Sequence, residues 1–135
     1  MRRTKVILVL LLGAVALAGT ACGSSDEDED TSPAAAVAEI DEIKAMLDTG
    51  LAQYRSGDHE AADTTVGDAY LEHFEHVEDP FGERDHELME DVEHRISTEI
   101  RDEMKDGTPP DQVATLIAAT KADLDSAKAR LQEAE

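Results

Sequence analysis

The chain has 135 residues, of which 32 are Asp or Glu and 12 are Lys or Arg, giving a formal net charge of -20. This length suits one domain, and the charge argues against nucleic acid as a partner, because that binding depends on cations that displace counterions from phosphates. A single cysteine excludes an intrachain disulfide and a zinc site made only of cysteines.

The first 21 residues have the layout of a secretory signal peptide. A basic start, MRRTK, precedes thirteen apolar or small residues from Val6 to Ala18, too few to span a bilayer. Small residues then lead to Cys22 in an arrangement that resembles the lipobox of bacterial lipoproteins. The resemblance implies lipid attachment at Cys22 and a protein anchored on the extracytoplasmic face of the cell membrane. Gly19 stands where a lipobox usually has leucine, so simple secretion after cleavage near Ala18 is the alternative.

Residues 22–33 are predicted to form a disordered acidic tether that starts at the lipidated Cys22. The tether includes five consecutive acidic residues, Asp26 to Asp30, and no apolar side chain between residues 23 and 32. Such a segment cannot bury surface and repels itself, so it should stay extended. The folded domain is therefore expected over residues 34–135.

Apolar residues in this domain recur at three- and four-residue steps in four successive segments, as in amphipathic helices. The first segment ends at Gly57, which suits a left-handed helix end, and Asp58 suits the N-cap of the second. The second helix is predicted to stop at Asp79, where the turn sequence Pro80-Phe81-Gly82 begins.

The third helix is predicted over about residues 84–105, and the fourth is expected to have Thr108 as its cap and Pro109 as its first helical residue. No segment alternates with period two, and the connections between segments are short. The sequence therefore predicts an all-α fold, an up-down-up-down four-helix bundle.

Motifs of the common enzyme classes are missing from the sequence, so a non-enzymatic role is expected. Carboxylates three residues apart recur on the first three helices and share helical faces. Carboxylate oxygens suit ferric iron, manganese or calcium, and added imidazoles admit ferrous iron, copper or zinc. A solvated acidic surface is the alternative interpretation of the same pattern.

The candidate cation site lies on the second helix. At about 100° per residue, His73 falls in the middle of the apolar stripe and His76 at its edge. His73 should then face residues 88–92, where a third-helix carboxylate such as Glu90 or Asp85 would complete the site. A core histidine bonded to a carboxylate or a backbone carbonyl is the alternative for His73. The predicted metal ligands are His73, His76, Glu72, Glu75, Glu78 and Glu90.

Three stretches carry a resemblance to a known family: YRSGDHEAA at residues 54–62, AYLEHFEHVE at 69–78 and RDHEL at 84–88. Together they resemble the extracytoplasmic helical domain of bacterial high-affinity iron permeases, whose pattern includes "A-Y-x-x-x-F-E-x-x-E". Tyr70, Phe74, Glu75 and Glu78 are the positions that match this pattern. The permease's membrane spans and their Arg-Glu-x-x-Glu iron motif are missing, so transport itself is not expected.

The resemblance implies a membrane-anchored module that binds or hands over iron, or another divalent cation, in association with an iron permease. A metal-free acidic bundle, serving interaction or sensing at a salt-adapted cell surface, is the alternative function.

Overall fold

A computed structural model describes residues 32–133, which form four helices and no β-strand. Helix α1 is Pro33–Ser56 and helix α4 is Pro110–Gln132. Helix α2 covers residues 59–82 and helix α3 covers residues 86–105, each without interruption. The prediction of an all-α protein is confirmed for this part of the chain.

The predictions of a signal peptide over residues 1–21, of lipid attachment at Cys22 and of most of the tether over residues 22–33 fall on residues outside the described part of the chain, which also leaves out residues 134 and 135. The predicted end of the tether is wrong by one residue, because Ser32 caps α1 and Pro33 is already helical. Among the helices of residues 32–133, none is both long enough and apolar enough to cross a membrane.

Most helix ends follow the expected local chemistry. Gly57 ends α1 with a φ of 88°, and its N–H donates to the carbonyl of Tyr54 at 3.0 Å. Asp58 caps α2 by accepting from the N–H of Ala61 at 3.3 Å, and Asp85 caps α3 in the same way. Short polar caps and a left-handed glycine satisfy backbone groups that a helix end would otherwise leave unpaired.

The predicted end of α2 at Asp79 is wrong, because the helix continues through Pro80 and Phe81 to Gly82. Pro80 and Phe81 are both buried, and Phe81 is fully enclosed. A proline inside a helix costs about 3 kcal/mol, while burying a phenylalanine contributes about 1.5–3 kcal/mol. Burial of the two rings therefore offsets the lost backbone hydrogen bond, and the turn begins three residues later than expected.

The predicted start of α4 is wrong by one residue. Pro109 is the cap and Pro110 is the first helical residue. The hydroxyl of Thr108 donates to the Glu103 carboxylate, and its carbonyl accepts a hydrogen bond from the Tyr54 hydroxyl at 2.8 Å. These contacts to α3 and α1 hold Thr108 in the loop.

Helices α1 and α4 bury residues that alternate between steps of three and four. In α1 the alternation is made by Ala36, Ile40, Ile43, Leu47, Gly50 and Tyr54. This alternation matches a helix of 3.6 residues per turn and keeps one straight face in the core. In α4 the same alternation is made by Val113, Ile117, Thr120, Leu124, Ala127 and Leu131.

Helices α2 and α3 instead contain π-helical segments at Ala69–Phe74 and Arg95–Glu99. From Val92 to Met104 the buried residues of α3 follow strict four-residue steps. Each such step advances an α-helix by about 400°, so its apolar stripe would drift by about 40° per step. The wider π-helical turn takes up this drift, and the two segments contact each other between α2 and α3.

Four ion pairs of the described residues join α1 to α4; one is Arg55–Asp111, and we call the other three, which pair Lys with Asp, the ladder. They are Asp41–Lys128, Lys44–Asp125 and Asp48–Lys121. Residue numbers rise along α1 while they fall along α4. Between α2 and α3, contacts likewise pair the start of α2 with the end of α3, and the end of α2 with the start of α3.

Candidate cation site on helix α2

Helix α2 concentrates the negative charge of the described residues. It carries seven Asp and Glu residues and no Lys or Arg, whereas α4 carries three acidic and three basic residues. The ion pairs that Lys and Arg make within residues 32–133 go to aspartates. The glutamates of α2 therefore keep charge that these cations do not neutralise.

His73 lies at the boundary between α2 and α1. Its Nδ1 is 2.6 Å from Oε2 of Glu39, a residue of α1. Both side chains are half-buried, with 24% and 32% of their surface exposed. The alternative prediction, a histidine bonded to a carboxylate, describes this contact, whereas the expectation that His73 faces residues 88–92 is wrong.

The π-helical segment explains this difference. A regular helical period places His73 on the inner face, but the step from buried Ala69 to the next buried residue, Phe74, is five residues long. The π-helical segment adds one residue to the turn, so every later side chain of α2 lies at a different angle around the helix axis than a regular period predicts. Phe74 is fully buried in the position predicted for His73, and the imidazole moves to the edge beside α1.

A second group of polar side chains lies on the opposite boundary of α2, against α3. The hydroxyl of Tyr70 donates to Oε1 of Glu93 at 3.3 Å, and the ring of Tyr70 stacks near that of Phe74. Burial raises the pKa of Tyr70, and the charges of Glu78 and Glu93 raise it further. Tyr70, with Phe74 stacked against it, thus lies beside a small group of acidic side chains that includes Glu78 and Glu93.

Glu78, like Glu93, is a half-buried carboxylate of this group. Burial raises the pKa of its carboxyl, and the neighbouring carboxylates of Glu93, Glu75 and Asp79 add to the shift. Losing water and facing like charges both disfavour the ionised form. A cation placed here would relieve this repulsion, since it would supply the positive charge that α2 lacks.

The remaining predicted ligands do not join one centre. Glu72 and Glu75 are exposed on α2, and His76 is half-buried. Glu90 is exposed on α3, where its Oε1 lies 3.4 Å from Nε2 of His86 one turn away. Within residues 32–133, no three His, Cys, Asp or Glu side chains lie close enough together to hold a metal ion.

The predicted site residues therefore divide between two faces of α2. His73 faces Glu39 of α1, while Glu78 and the charge of Glu75 face Glu93 of α3. Imidazole nitrogen suits ferrous iron, copper or zinc, and the carboxylates with the Tyr70 phenol suit harder cations. Glu39 and Glu93 both belong to carboxylate pairs visible in the sequence, but their partners across the helix boundaries were not foreseen.

The acidic end of α2 lies near the start of the described chain. A cleft of about 380 Å³ at this end is lined by Pro33, Asp79, Pro80, Glu83 and Arg84. Pro33 is the first residue of α1, so the start of α1 lies beside the turn between α2 and α3.

No protein-family model matches this sequence. Comparison with curated proteins and with solved structures likewise finds no significant match.

Proposed function

We propose that this chain is a lipid-anchored extracytoplasmic module that binds or hands over metal cations, iron above all, in association with an iron permease. The observation that carries the proposal is the charge of α2, which has seven Asp and Glu residues and no Lys or Arg, and whose half-buried Glu78 experiences the like charges of Glu93 and Glu75. Carboxylates forced together in this way are stabilised by a cation. Tyr70, Glu75 and Glu78 are also positions that match the iron-permease pattern.

The attachment point supports the anchored part of the proposal. Lipid at Cys22 would leave 10 residues between the anchor and Pro33, a reach of at most about 36 Å when fully extended. Because Pro33 lies beside the turn between α2 and α3, the acidic end would face the membrane, where a permease would receive the ion. The opposite residue order in the ladder and in the α2–α3 contacts supports an up-down-up-down bundle as the scaffold.

Equilibrium dialysis of the full chain against Fe²⁺, without oxygen, and against Zn²⁺ tests the cation site. We expect His73→Ala combined with Glu75→Ala to weaken binding about 10-fold or more, since it removes a ligand from each face of α2. The matched control is His94→Ala combined with Glu87→Ala, which removes the same two residue types at exposed positions of α3. Equal binding by both double variants and the unchanged chain would remove the proposed site.

A metal-free acidic bundle is the second candidate function. It is favoured by the contact of His73 with Glu39 and by the lack of any grouped set of three ligands within the described residues. Under this function, cations would bind weakly and without selectivity, and both double variants would lose the same small amount of binding. Binding of a basic protein partner would then fall as salt screens the charges.

A further inference from the structure

The contact between Glu39 and His73 joins two helices at a half-buried position. Glu39 lies on α1 and His73 on α2, and the 2.6 Å separation between Oε2 and Nδ1 is that of a strong hydrogen bond. The helices contact each other along the whole of α2, so the pair is held by the packing around it. Neither side chain makes another hydrogen bond or ion pair with the described residues.

This geometry determines which imidazole nitrogen carries the proton. An ionised carboxylate only accepts hydrogen bonds, so Nδ1 of His73 must be the donor. In the neutral ring the other nitrogen, Nε2, then keeps its lone pair. Free histidine favours the opposite tautomer, with the proton on Nε2. Glu39 therefore leaves Nε2 unprotonated, as an imidazole nitrogen must be to bind a metal ion.

We propose that Glu39 is a positioning residue that holds His73 in the Nδ1–H form and presents Nε2 as a ligand for a divalent transition-metal ion. This inference rests on the proposed function, because it assigns to Glu39 a role beside His73, one of the proposed cation ligands. A carboxylate that accepts from the far nitrogen of a metal-binding histidine fixes the ring and increases its basicity.

The nitrogen ligand also narrows the class of cation. Imidazole favours Fe²⁺, Cu²⁺ and Zn²⁺, whereas Ca²⁺ and Mg²⁺ take oxygen ligands. His73 as a ligand would therefore favour divalent transition metals over Ca²⁺.

The tautomer of His73 can be measured with no metal present. Long-range ¹H–¹⁵N correlation spectra of the full chain in detergent micelles at pH 8 should show His73 with a protonated Nδ1 and a bare Nε2. Glu39→Ala should return the ring to the Nε2–H form, while Glu39→Gln should retain the Nδ1–H form, because its amide oxygen still accepts. Glu42→Ala, the same change at an exposed position of α1, should leave the tautomer unaltered.

Zn²⁺ and Ca²⁺ binding by the same variants then tests the ligand role. We expect Glu39→Ala to weaken Zn²⁺ binding about 10- to 100-fold, Glu39→Gln and Glu42→Ala to weaken it much less, and Ca²⁺ binding to be equal in all four proteins. An Nε2–H tautomer in the unchanged chain overturns the inference even if Zn²⁺ binds. The expected tautomer in a chain that binds no Zn²⁺ overturns the proposed function, and the ligand role of His73 with it. Equal losses for Glu39→Gln and Glu39→Ala would make Glu39 a direct ligand and overturn its positioning role.

Discussion

Helices α1 and α4 meet through apolar residues spaced alternately three and four apart, whereas α2 and α3 follow wider steps and contain a π-helical segment each. The two pairs also differ in charge. The ladder pairs Lys with Asp between α1 and α4, while α2 carries seven acidic residues and no basic one. Regular spacing and balanced charge thus coincide in one pair, and irregular spacing and unbalanced charge in the other.

The difference separates two roles within one bundle. The α1–α4 pair combines a regular spacing of buried residues with paired charges, and both features stabilise packed helices. In the α2–α3 pair, glutamates face one another and raise the pKa of Glu78. Segments of π-helix occur often at functional sites, and residues with raised pKa cluster there as well. The α2–α3 pair is accordingly where we place the function.

The largest expected effect on stability comes from the π-helical segment of α2, which buries Phe74 in place of His73. Phe74→Ala should lower the free energy of unfolding by about 3–5 kcal/mol, because it empties a fully buried position. His73→Ala should cost about 1 kcal/mol or less, since His73 is half-buried and loses one hydrogen bond. Urea unfolding followed by circular dichroism measures both. A helix of regular period through residues 69–74 would give the opposite order, and that result would contradict the π-helical segment.

Smaller effects are expected for Asp63 and Glu78, two carboxylates of α2 whose pKa values shift in opposite directions. The Arg101 guanidinium, which lies 2.8 Å from Asp63, lowers the pKa of that carboxyl. Its ionised form stabilises the fold above the ordinary pKa of 3.8, and the contribution is lost as pH falls through the lower folded value. Asp63→Asn should therefore cost about 1.5 kcal/mol at pH 7, and the difference should vanish in acid. Asp91→Asn, at an exposed position of α3, is the control and should change nothing measurable.

Glu78 should behave in the opposite way. Because its folded pKa is raised, the folded protein holds the proton more tightly, and this contribution is present at low pH and lost as pH rises through the folded pKa. Glu78→Gln should stabilise the protein by about 0.5–1 kcal/mol at pH 7, since each like-charge neighbour costs about 0.2–0.5 kcal/mol. Glu87→Gln at an exposed site is its control. A loss of stability in Glu78→Gln at pH 7 would refute the repulsion around Glu78.

The smallest effect concerns the ladder. Lys121→Gln should cost about 0.3 kcal/mol at low salt and nothing at 1 M NaCl, because exposed ion pairs are weak and screened. The unchanged chain should nevertheless gain stability as salt rises, since screening the seven carboxylates of α2 outweighs weakening three pairs. Urea midpoints between 10 mM and 1 M NaCl measure both trends. A flat midpoint for the unchanged chain would show that repulsion in α2 does not oppose folding.

Sequence predicted the parts of this fold that depend on neighbours in the chain. Gly57 ends a helix and Asp58 starts one through contacts made within four residues, so their roles follow from local chemistry. The end of α2 at Gly82 does not, because the burial of Phe81 against other helices decides it. Local turn propensity gave the wrong boundary for this reason.

The candidate site was predicted less well, and the period of α2 is the cause. A constant period placed His73 inside and aimed it at α3, while the wider turn places it beside Glu39 of α1. A signal of this kind was visible only for the neighbouring helix α3, whose strict four-residue steps from Val92 to Met104 indicate a widened helix. The choice of Glu39 as partner depends on how α1 and α2 pack, which no local pattern specifies.

The chain contains two tyrosines and no tryptophan, and the fold places the two phenols in unlike surroundings. Tyr54 donates to the carbonyl of Thr108, and Tyr70 donates to the carboxylate of Glu93. Ultraviolet fluorescence of the unlabelled protein therefore comes from two known positions. Replacing Tyr70 with phenylalanine isolates the emission of Tyr54, and the difference between the two spectra reports on the acidic group without any attached dye.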